Sequence, residues 1–285
     1  QSRDDFLNIF NAAESSPITV YNDLDNEMSP KLPSKFRLLT QYVLSRDIPP
    51  PDQGFIYGCE CQGGKCLDPR QCQCTEFDDS SATSKREFVY QPDGRLKYIG
   101  IVYECNSECP CGPDCGNRVV QRGRTVELQI FKTKKKGWGL RSPQFLGAGQ
   151  FICCYYGEII TSDEAAMRAH IMSDIQRNPS NYLFNMDLFT KDSETADYHV
   201  IDARRQGGVA RFINHSCEPN LSIVGVCQNR TQTLYNLAFF AKYDIQPNQE
   251  LTIDYGRDYI GSRIGLDLCA CGSPKCRKKG NLHAQ

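Results

Sequence analysis

One stretch combines residue types that bind metals, cofactors and polar substrates, and it covers residues 211–220, Arg-Phe-Ile-Asn-His-Ser-Cys-Glu-Pro-Asn. Asn, Ser and Pro favour turns and helix ends, and strand-like apolar runs flank the stretch on both sides. An ordered loop of this composition commonly carries function, because the strands hold the loop while the loop holds the reactive groups. The alternative is a turn with a capping Asn and a core cysteine, and the stretch alone favours neither interpretation.

Cysteine spacing indicates a second kind of chemistry, because the chain contains 16 cysteines among 285 residues. Four C-x-C pairs begin at Cys59, Cys72, Cys109 and Cys269. Two cysteines that close in sequence cannot form a disulfide with each other, whereas both can bind one metal cluster. A secreted disulfide framework is the alternative, but such domains are usually small. The pattern therefore favours zinc thiolates in a reducing compartment.

The first group of cysteines lies between residues 58 and 117 and consists of Cys59, Cys61, Cys66, Cys72, Cys74, Cys105, Cys109, Cys111 and Cys115. Two separate tetrahedral sites would use eight of them and leave one over. Three zinc ions need twelve ligand positions, which nine cysteines supply if three of them bridge two metals. Such a cluster carries excess negative charge, so we expect N–H donors and cations nearby. The segment has little apolar content, and metal is expected to hold it together.

A second signature follows later in the chain, at residues 250–256, Glu-Leu-Thr-Ile-Asp-Tyr-Gly. Together with the 211–220 stretch it resembles the paired signature of SET-domain protein lysine methyltransferases. Residues 136–139, Lys-Gly-Trp-Gly, and residues 156–160, Tyr-Gly-Glu-Ile-Ile, fit the same family in the expected order. The resemblance includes the cysteine blocks on both sides, so it spans roughly residues 58–285. Within the family, the chain looks most similar to the heterochromatin enzymes that methylate histone H3 at lysine 9.

The resemblance implies a mostly β fold, the β-clip fold of SET domains, with short helices and a knot-like crossing of residues 211–220 and 250–256. It divides the chain into an N-terminal helix and wrapping segment (1–57), a pre-SET region with a triangular three-zinc cluster (58–117), a SET catalytic domain (118–256) and a post-SET segment (257–285). The post-SET cysteines Cys269, Cys271 and Cys276 are one ligand short of a closed site. The family supplies the fourth from Cys217, which makes four zinc ions in all.

The activity that the resemblance implies is methyl transfer from S-adenosylmethionine to histone H3 lysine 9, in the nucleus, with a role in heterochromatin and gene silencing. Tyr255 and Tyr156 match active-site tyrosines of the family. The cofactor-binding positions carried over are Lys136, Gly137, Trp138, Gly139, Tyr182, Arg211, Asn214 and His215. The alternatives are a lysine methyltransferase of another histone site or of a non-histone protein, and a zinc-stapled reader without catalysis.

Methylation of lysine requires a neutral amine, although the pKa of free lysine is about 10.4. A nearby sulfonium and an apolar channel lower that pKa, so no strong base is required. The phenol of Tyr255 is expected to orient the amine and to make weak C–H···O contacts with the methyl group. His215 is expected to be a neutral imidazole rather than a base or a zinc ligand.

Two further positions are predicted to govern the substrate. The family has Phe or Tyr two residues before the catalytic tyrosine, and this chain departs from it with Ile253. Ile has no hydroxyl to hold a water that would limit the product, which predicts di- and trimethylation. The histone H3 tail is expected to bind as an added strand beside residues 182–188, where Asp187 would meet its basic side chains.

Strand-like runs between residues 118 and 256 are short and separated by turn residues, which predicts a mostly antiparallel β fold. The predicted strands are residues 127–132, 151–156, 182–188, 199–202, 221–226, 235–240 and 251–255. Helices are predicted at residues 1–14, capped by Ser2, and after a capping box of Thr161 and Glu164, ending before Pro179. Residues 15–57 are predicted to be extended and residues 78–86 to be a mobile insert. Cys153, Cys154 and Cys227 are assigned to the apolar core.

Composition excludes several other classes of protein. The formal net charge is −1, so a general electrostatic grip on nucleic acid is not indicated, and sequence-specific nucleic-acid binding is not expected. No apolar run approaches the roughly 20 residues that span a bilayer, and no signal peptide is visible. The chain does not begin with Met, as expected of a piece of a longer protein, and a chromatin association would depend on targeting from elsewhere.

Overall fold

The protein was analysed as a computed structural model that describes residues 2–11, 16–52, 56–61, 66, 72, 74, 89–97, 100–175, 182–188, 198–228, 234–256 and 269–277. The helices are α1 (Arg3–Asn11) and α2 (Ser162–Ile175), with a 3-10 turn at Val209–Phe212. The strands are β1 (Ile18–Tyr21), β2 (Arg37–Leu38), β3 (Val43–Leu44), β4 (Val102–Tyr103), β5 (Leu128–Lys132), β6 (Trp138–Arg141), β7 (Phe151–Cys154), β8 (Glu158–Thr161), β9 (Leu183–Met186), β10 (His199–Asp202), β11 (Gln206–Gly207), β12 (Asn214–His215), β13 (Leu221–Cys227), β14 (Asn236–Ala241) and β15 (Glu250–Ile253).

Three sheets and one strand pair make up the described fold. Their strand orders are β1-β5-β6-β15-β12, β3-β8-β10-β9, β4-β13-β14-β7 and β11-β2. Neighbours drawn from residues 128–253 are antiparallel, apart from the parallel pair β12–β15. The prediction of a mostly β fold with short helices is confirmed. All seven predicted strands occur, whereas β6, β8, β11 and β12, in the same part of the chain, were not predicted.

The N-terminal segment is part of these sheets rather than a loose wrapping. Strands β1 to β4 each join a later strand in parallel, namely β5, β11, β8 and β13. Helix α1 begins as predicted, since the Ser2 hydroxyl accepts the N–H of Asp5 at 3.1 Å. Phe6 and Phe10 of this helix are fully buried and lie 6.2 and 6.0 Å from the ring of Phe212. Burying each of these rings stabilises the fold by roughly 2 kcal/mol.

The main core lies between the sheets and contains Ile130, Leu140, Ile152, Ile159 and Leu251, all of them fully buried. The three cysteines assigned to the core are also buried, at 5% exposure or less. Helix α2 packs on β8 and β10, and its first turn is capped as predicted by the Thr161 hydroxyl, which accepts the N–H of Glu164 at 3.2 Å.

The two signature stretches meet as expected. Strand β12, within residues 211–220, pairs in parallel with the end of β15. The side chain of Asn220 joins them further, because its carbonyl oxygen accepts the N–H of Thr252 at 2.8 Å and its amide donates to the carbonyl of Glu250 at 2.8 Å. This explains structurally why a Pro-Asn pair closes the first stretch: the Asn side chain takes the place of a strand partner.

Two predictions fall outside the described residues, namely the mobile insert at residues 78–86 and the last part of the N-terminal helix. Neither helix in the described part of the chain has the length and apolar character that crossing a bilayer requires.

Candidate functional site

The nine cysteines of residues 58–117 converge in one buried cluster. Among the described residues, three groups of four sulfurs have all members within 4.8 Å of one another. The groups are Cys59, Cys66, Cys72 and Cys105; Cys59, Cys74, Cys105 and Cys109; and Cys66, Cys105, Cys111 and Cys115. Cys59 and Cys66 each belong to two groups and Cys105 belongs to all three, whereas the arrangement predicted from the sequence has three cysteines that each bridge two metals. Cys61 is buried in the same cluster but belongs to none of the three groups.

Sulfur spacing fits zinc and not disulfides. All sixteen cysteines are free thiols, which contradicts the disulfide alternative. Cys59 and Cys66 are 3.6 Å apart at their sulfurs, and Cys74 and Cys109 are 3.4 Å apart. With Zn–S bonds of about 2.3 Å, two sulfurs of one tetrahedral site lie about 3.8 Å apart. The donor set and its spacing therefore suit zinc.

Donors surround this cluster, as its negative charge requires. The backbone N–H groups of Cys59 and Asn106 point to the Cys109 sulfur at 3.4 and 3.2 Å. The guanidinium of Arg118 lies 3.5 Å from the Cys111 sulfur. Burial opposes the charge of Arg118, but the Cys111 thiolate and its neighbours outweigh burial and raise the pKa of Arg118. The N–H donors and the cation that were predicted to offset the negative charge of the cluster are therefore present.

The tail cysteines and Cys217 form the fourth group. The sulfurs of Cys217, Cys269, Cys271 and Cys276 all lie within 4.8 Å of one another. Cys217 is 3.9 Å from Cys269, and Cys276 is 3.6 Å from Cys269. One metal at this position would join the 211–220 stretch to the tail.

An ion pair reinforces this junction. Arg277 follows Cys276 directly, and its guanidinium pairs with the carboxylate of Asp254, the residue before Tyr255. The hydrogen bond that Arg277 donates to Asp254 is the main reason why the pKa of Arg277 is raised. The tail therefore contacts the residue next to Tyr255.

Tyr255 is held by two hydrogen bonds. Its hydroxyl donates to the carbonyl of Ile213 at 2.7 Å, and its backbone N–H donates to Nδ1 of His215 at 3.2 Å. Because Nδ1 accepts, the ring proton of His215 is on Nε2, which lies 3.3 Å from the Cys217 sulfur. Burial is the main cause that lowers the pKa of His215. A neutral His215 thus connects the backbone of Tyr255 to the sulfur of Cys217, which lies among the tail cysteines.

Residues 136–139 meet the two signatures through Glu250. The carboxylate of Glu250 accepts from Lys136 Nζ at 2.5 Å and from the Asn214 amide at 2.9 Å. The same amide donates to the Trp138 carbonyl at 3.2 Å. A Cβ on Gly139 would lie 3.0 Å from Glu250 Oε1 and 3.1 Å from Asn214 Nδ2, so glycine is needed here for close packing. Glu250 belongs to the motif at residues 250–256, but the sequence does not indicate that its carboxylate contacts both Lys136 and Asn214.

Arg211 and Tyr182 lie against each other. The guanidinium carbon of Arg211 is 4.3 Å from the centre of the Tyr182 ring and 4.7 Å from that of Phe36. Arg211 is buried, and this desolvation lowers its pKa. Such cation–π contacts stabilise a cation that has left water.

The two adjacent tyrosines, Tyr155 and Tyr156, occupy different places. Tyr155 is buried in the main core and donates its hydroxyl to the Tyr182 carbonyl at 3.0 Å. Burial is the main cause that raises the pKa of Tyr155, and the phenol of Tyr255 adds to it. Tyr156 packs against a separate core cluster and beside Gly208. Successive residues of an extended chain face opposite sides, so the structure brings Tyr155, which the sequence reasoning missed, to the site.

The substrate positions differ in exposure. Ile253 is 2% exposed and packs in the main core, with its carbonyl accepting the N–H of Ser216 at 2.9 Å. Asp187 is exposed and directly follows β9. In the described chain, β9 is the last strand of its sheet and pairs with β10 alone, so its other edge can accept a strand.

A cavity of about 420 Å³ lies elsewhere, between the pre-SET region and the β13–β14 hairpin. Tyr42, Arg118 and Tyr235 are among its lining residues, and none of the predicted cofactor residues is. It is therefore distinct from the site built around Tyr255.

S-adenosylmethionine fits the residues around Tyr255 and Arg211. Within the described part of the chain, the Trp138 ring nitrogen and Arg211 Nε are buried donors without partners. A buried donor left unpaired costs about 1–3 kcal/mol, so a ligand that accepts from it is favoured. Gly137 has a φ of +68° and open space where a side chain would stand. Backbone approach by a ligand is possible there.

Comparison with known proteins agrees with this geometry. The chain matches the SET domain family over residues 137–256 and the Pre-SET motif family over residues 10–118. It is 42% identical to the H3 lysine-9 specific histone-lysine N-methyltransferase of Schizosaccharomyces pombe, over 97% of this chain and 58% of that protein. It is 36% identical to the H3 lysine-9 specific enzyme dim-5 of Neurospora crassa, over 92% of this chain and 87% of that protein.

A solved structure shares the fold as well. The crystal structure of KRYPTONITE in complex with mCHH DNA, an H3(1-15) peptide and SAH has a TM-score of 0.75 and 31% identity, over 95% of this chain and 52% of that one. The match to dim-5 covers most of both proteins, and both families match in the order that the sequence motifs predict. The chain belongs to the SET-domain histone-lysine N-methyltransferases.

Proposed function

We propose that this protein transfers methyl groups from S-adenosylmethionine to lysine 9 of histone H3, giving di- and trimethyl products, and that it acts on chromatin in the nucleus, in heterochromatin and gene silencing. The observation that carries the proposal is the junction at Cys217. Through His215 and Cys217, one short stretch joins the backbone of Tyr255 to a tail whose cysteines complete a four-sulfur group able to hold a metal. The names of the relatives support lysine 9 as the target.

Specific residues would hold the cofactor, which supplies an electrophilic methyl group on a sulfonium when it is bound. Lys136 and Arg211 offer positive charge, and Trp138 and Tyr182 offer rings and a buried N–H donor. The Glu250 bridge keeps residues 136–139 against Asn214. These contacts orient the cofactor, and burial excludes water from it.

Tyr255 acts on the lysine as a hydrogen-bond acceptor. Its hydroxyl donates a hydrogen bond to the Ile213 carbonyl, which orients the oxygen to accept the amine N–H. Tyr255 would hold the lysine nitrogen in line with the methyl group that the bound cofactor supplies, with the electrons of the broken carbon–sulfur bond staying on sulfur. The extra proton of the amine leaves to water. No residue has to serve as a strong base.

We assign the second tyrosine hydroxyl of the site to Tyr155 instead of Tyr156. Tyr155→Phe removes the hydrogen bond to the Tyr182 carbonyl and is expected to lower kcat about tenfold, the equivalent of one net hydrogen bond. Tyr156→Phe, the matched control, is expected to change kcat less than threefold. Steady-state methylation of a histone H3 peptide measures both. The reverse order of effects would restore Tyr156 to the site.

We also propose that the H3 tail adds as a strand on the side of β9 opposite β10, next to Asp187. Asp187→Ala is expected to raise the KM for the peptide about fivefold and to leave the KM for the cofactor unchanged, because an exposed carboxylate steers and holds a basic partner. Asp47→Ala, another exposed carboxylate, is the control. Peptide titrations at two salt concentrations measure the effect, and equal KM values for both variants contradict this placement.

The target and the number of methyl groups are tested together. We expect a histone peptide array with labelled cofactor to give its strongest signal at H3 lysine 9, and mass spectrometry of that peptide to show di- and trimethyl products. Ile253 supports this product range, because it has no hydroxyl to hold a water beside the amine. A product that stops at one methyl group would contradict the role of Ile253. A stronger signal at another site, or on a non-histone peptide, would support the alternative substrates.

We propose four zinc ions for the chain, three in the pre-SET cluster and one at the tail. Three four-sulfur groups with shared members support the first number, and the Cys217 group supports the second. Conversely, a zinc-stapled reader without catalysis would not need the phenol and the buried donors to converge on one site.

A further inference from the structure

Arg211 is a buried cation whose position depends on its neighbours, because no carboxylate pairs with it among the described residues. It is 7% exposed and lies between the rings of Tyr182 and Phe36. One of its guanidinium nitrogens donates to the Arg204 carbonyl at 3.4 Å, which is a long hydrogen bond. The ring of Phe212 lies further away, at 5.6 Å, so two close rings, one more distant ring and one weak hydrogen bond define where this charge lies.

Asp202, the last residue of β10, fixes the segment that makes two of these contacts. Its carboxylate accepts the backbone N–H of Arg204 at 3.0 Å and the Arg204 guanidinium at 2.7 to 3.2 Å. This holds the turn whose carbonyl meets Arg211. The next residue, Ala203, donates its N–H to the Tyr182 carbonyl at 3.0 Å. Both Tyr182 and the Arg204 carbonyl are thus tied to the Asp202 segment.

Helix α2 is joined to the same carboxylate through Arg168. Its guanidinium lies 2.9 Å from Asp202 and 2.7 Å from both Glu158 and Glu164. Asp202 contacts both arginines and has a side chain only 5% exposed. Burial opposes its charge, but the hydrogen bonds from Arg204 and Arg168 prevail and lower the pKa of Asp202. The carboxylate is therefore ionised at neutral pH.

We propose that Asp202 is a positioning residue of the cofactor site: through the Arg204 turn and the Ala203 amide it sets the place of Arg211 and Tyr182. Because Arg168 of helix α2 pairs with Asp202, the positions of Arg211 and Tyr182 also depend on how helix α2 packs. The inference rests on the proposed function, which assigns Arg211 and Tyr182 to the cofactor. Asp202 acts through these two residues and has no role on the reacting atoms.

The test uses binding of S-adenosylhomocysteine to the whole protein, measured by isothermal titration calorimetry. Asp202→Asn keeps the size of the side chain but removes the charge that both arginines share. We expect its Kd to rise about tenfold, which is typical of coupling between packed groups. The KM for the cofactor should rise more than the KM for the peptide. Arg168→Met should weaken binding severalfold, and Arg168→Lys, which keeps the charge, should recover part of the loss.

Asp93→Asn is the matched control, because Asp93 forms an exposed ion pair with Arg95 at 2.7 Å. Its Kd should equal that of the wild type. Near-UV circular dichroism and zinc content establish that each variant is folded. A folded Asp202→Asn protein with a Kd within twofold of wild type overturns the proposal. If that variant does not fold, equal Kd values for wild type, Arg168→Met and Arg168→Lys overturn it. A wild-type protein that does not bind would instead contradict the proposed function.

Discussion

Replacing Tyr255 with Phe is expected to lower kcat at least about 100-fold while the Kd for S-adenosylhomocysteine changes less than threefold. In the proposed mechanism the hydroxyl oxygen accepts the amine N–H, and misplacement of a reacting group by about 1 Å can cost a factor of 100. The substitution also leaves the Ile213 carbonyl without its donor, which displaces the ring. Methylation kinetics and calorimetry on the same preparation measure the two quantities.

Tyr243→Phe serves as the control, since this tyrosine is 45% exposed and lies outside the site. Unchanged kinetics there show that loss of a phenol is not harmful by itself. If Tyr255→Phe kept its kcat within threefold of wild type, the phenol would have no part in orienting the amine, and the chemistry would have to be assigned to other groups.

Replacing Cys217 with Ser is expected to remove one zinc ion per chain and nearly all activity. A serine hydroxyl is a poor zinc ligand at neutral pH, and three thiolates leave an open position that structural sites avoid. Losing the metal frees the tail from His215, and hence from the segment of Tyr255. Native mass spectrometry should show three zinc ions instead of four, and the methylation assay should show a loss of at least about tenfold, as typical for disrupted metal sites.

Cys227→Ala is the matched control, because Cys227 is fully buried but lies in none of the four-sulfur groups. Its zinc content is expected to stay at four. A Cys217→Ser protein that still carried four zinc ions would show that another residue completes the tail site.

The clustering of the cysteines was predictable from this sequence because thiolate chemistry shows in spacing. The C-x-C pairs indicated clusters, and the shortage of one cysteine in the tail pointed to a distant partner. Which sulfurs share a metal was not predictable, since this depends on how residues 59–74 and 105–115 fold against each other. Cys61 illustrates the point, as it lies in the cluster but outside the three groups.

The pairing of strands that lie far apart in the sequence could not be predicted either. Alternating apolar residues predicted β10 and β13, but nothing in the sequence indicates that β1 joins β5 more than 100 residues later. The choice between Tyr155 and Tyr156 is hard to make from sequence for a related reason. A shift of one residue in an extended run exchanges its two faces, and only packing on both sides decides which face meets the site.

The packing of Phe6 and Phe10 on Phe212 changes what should be regarded as the smallest unit of this protein. The first four strands pair with strands that come later in the chain, and the first helix packs against Phe212 in the stretch that carries a motif. Cutting the chain at the start of the SET family match would strip away sheet partners and expose aromatic surface, a combination that leads to aggregation. The chain is therefore best expressed and engineered as one piece, even though the two family matches divide it.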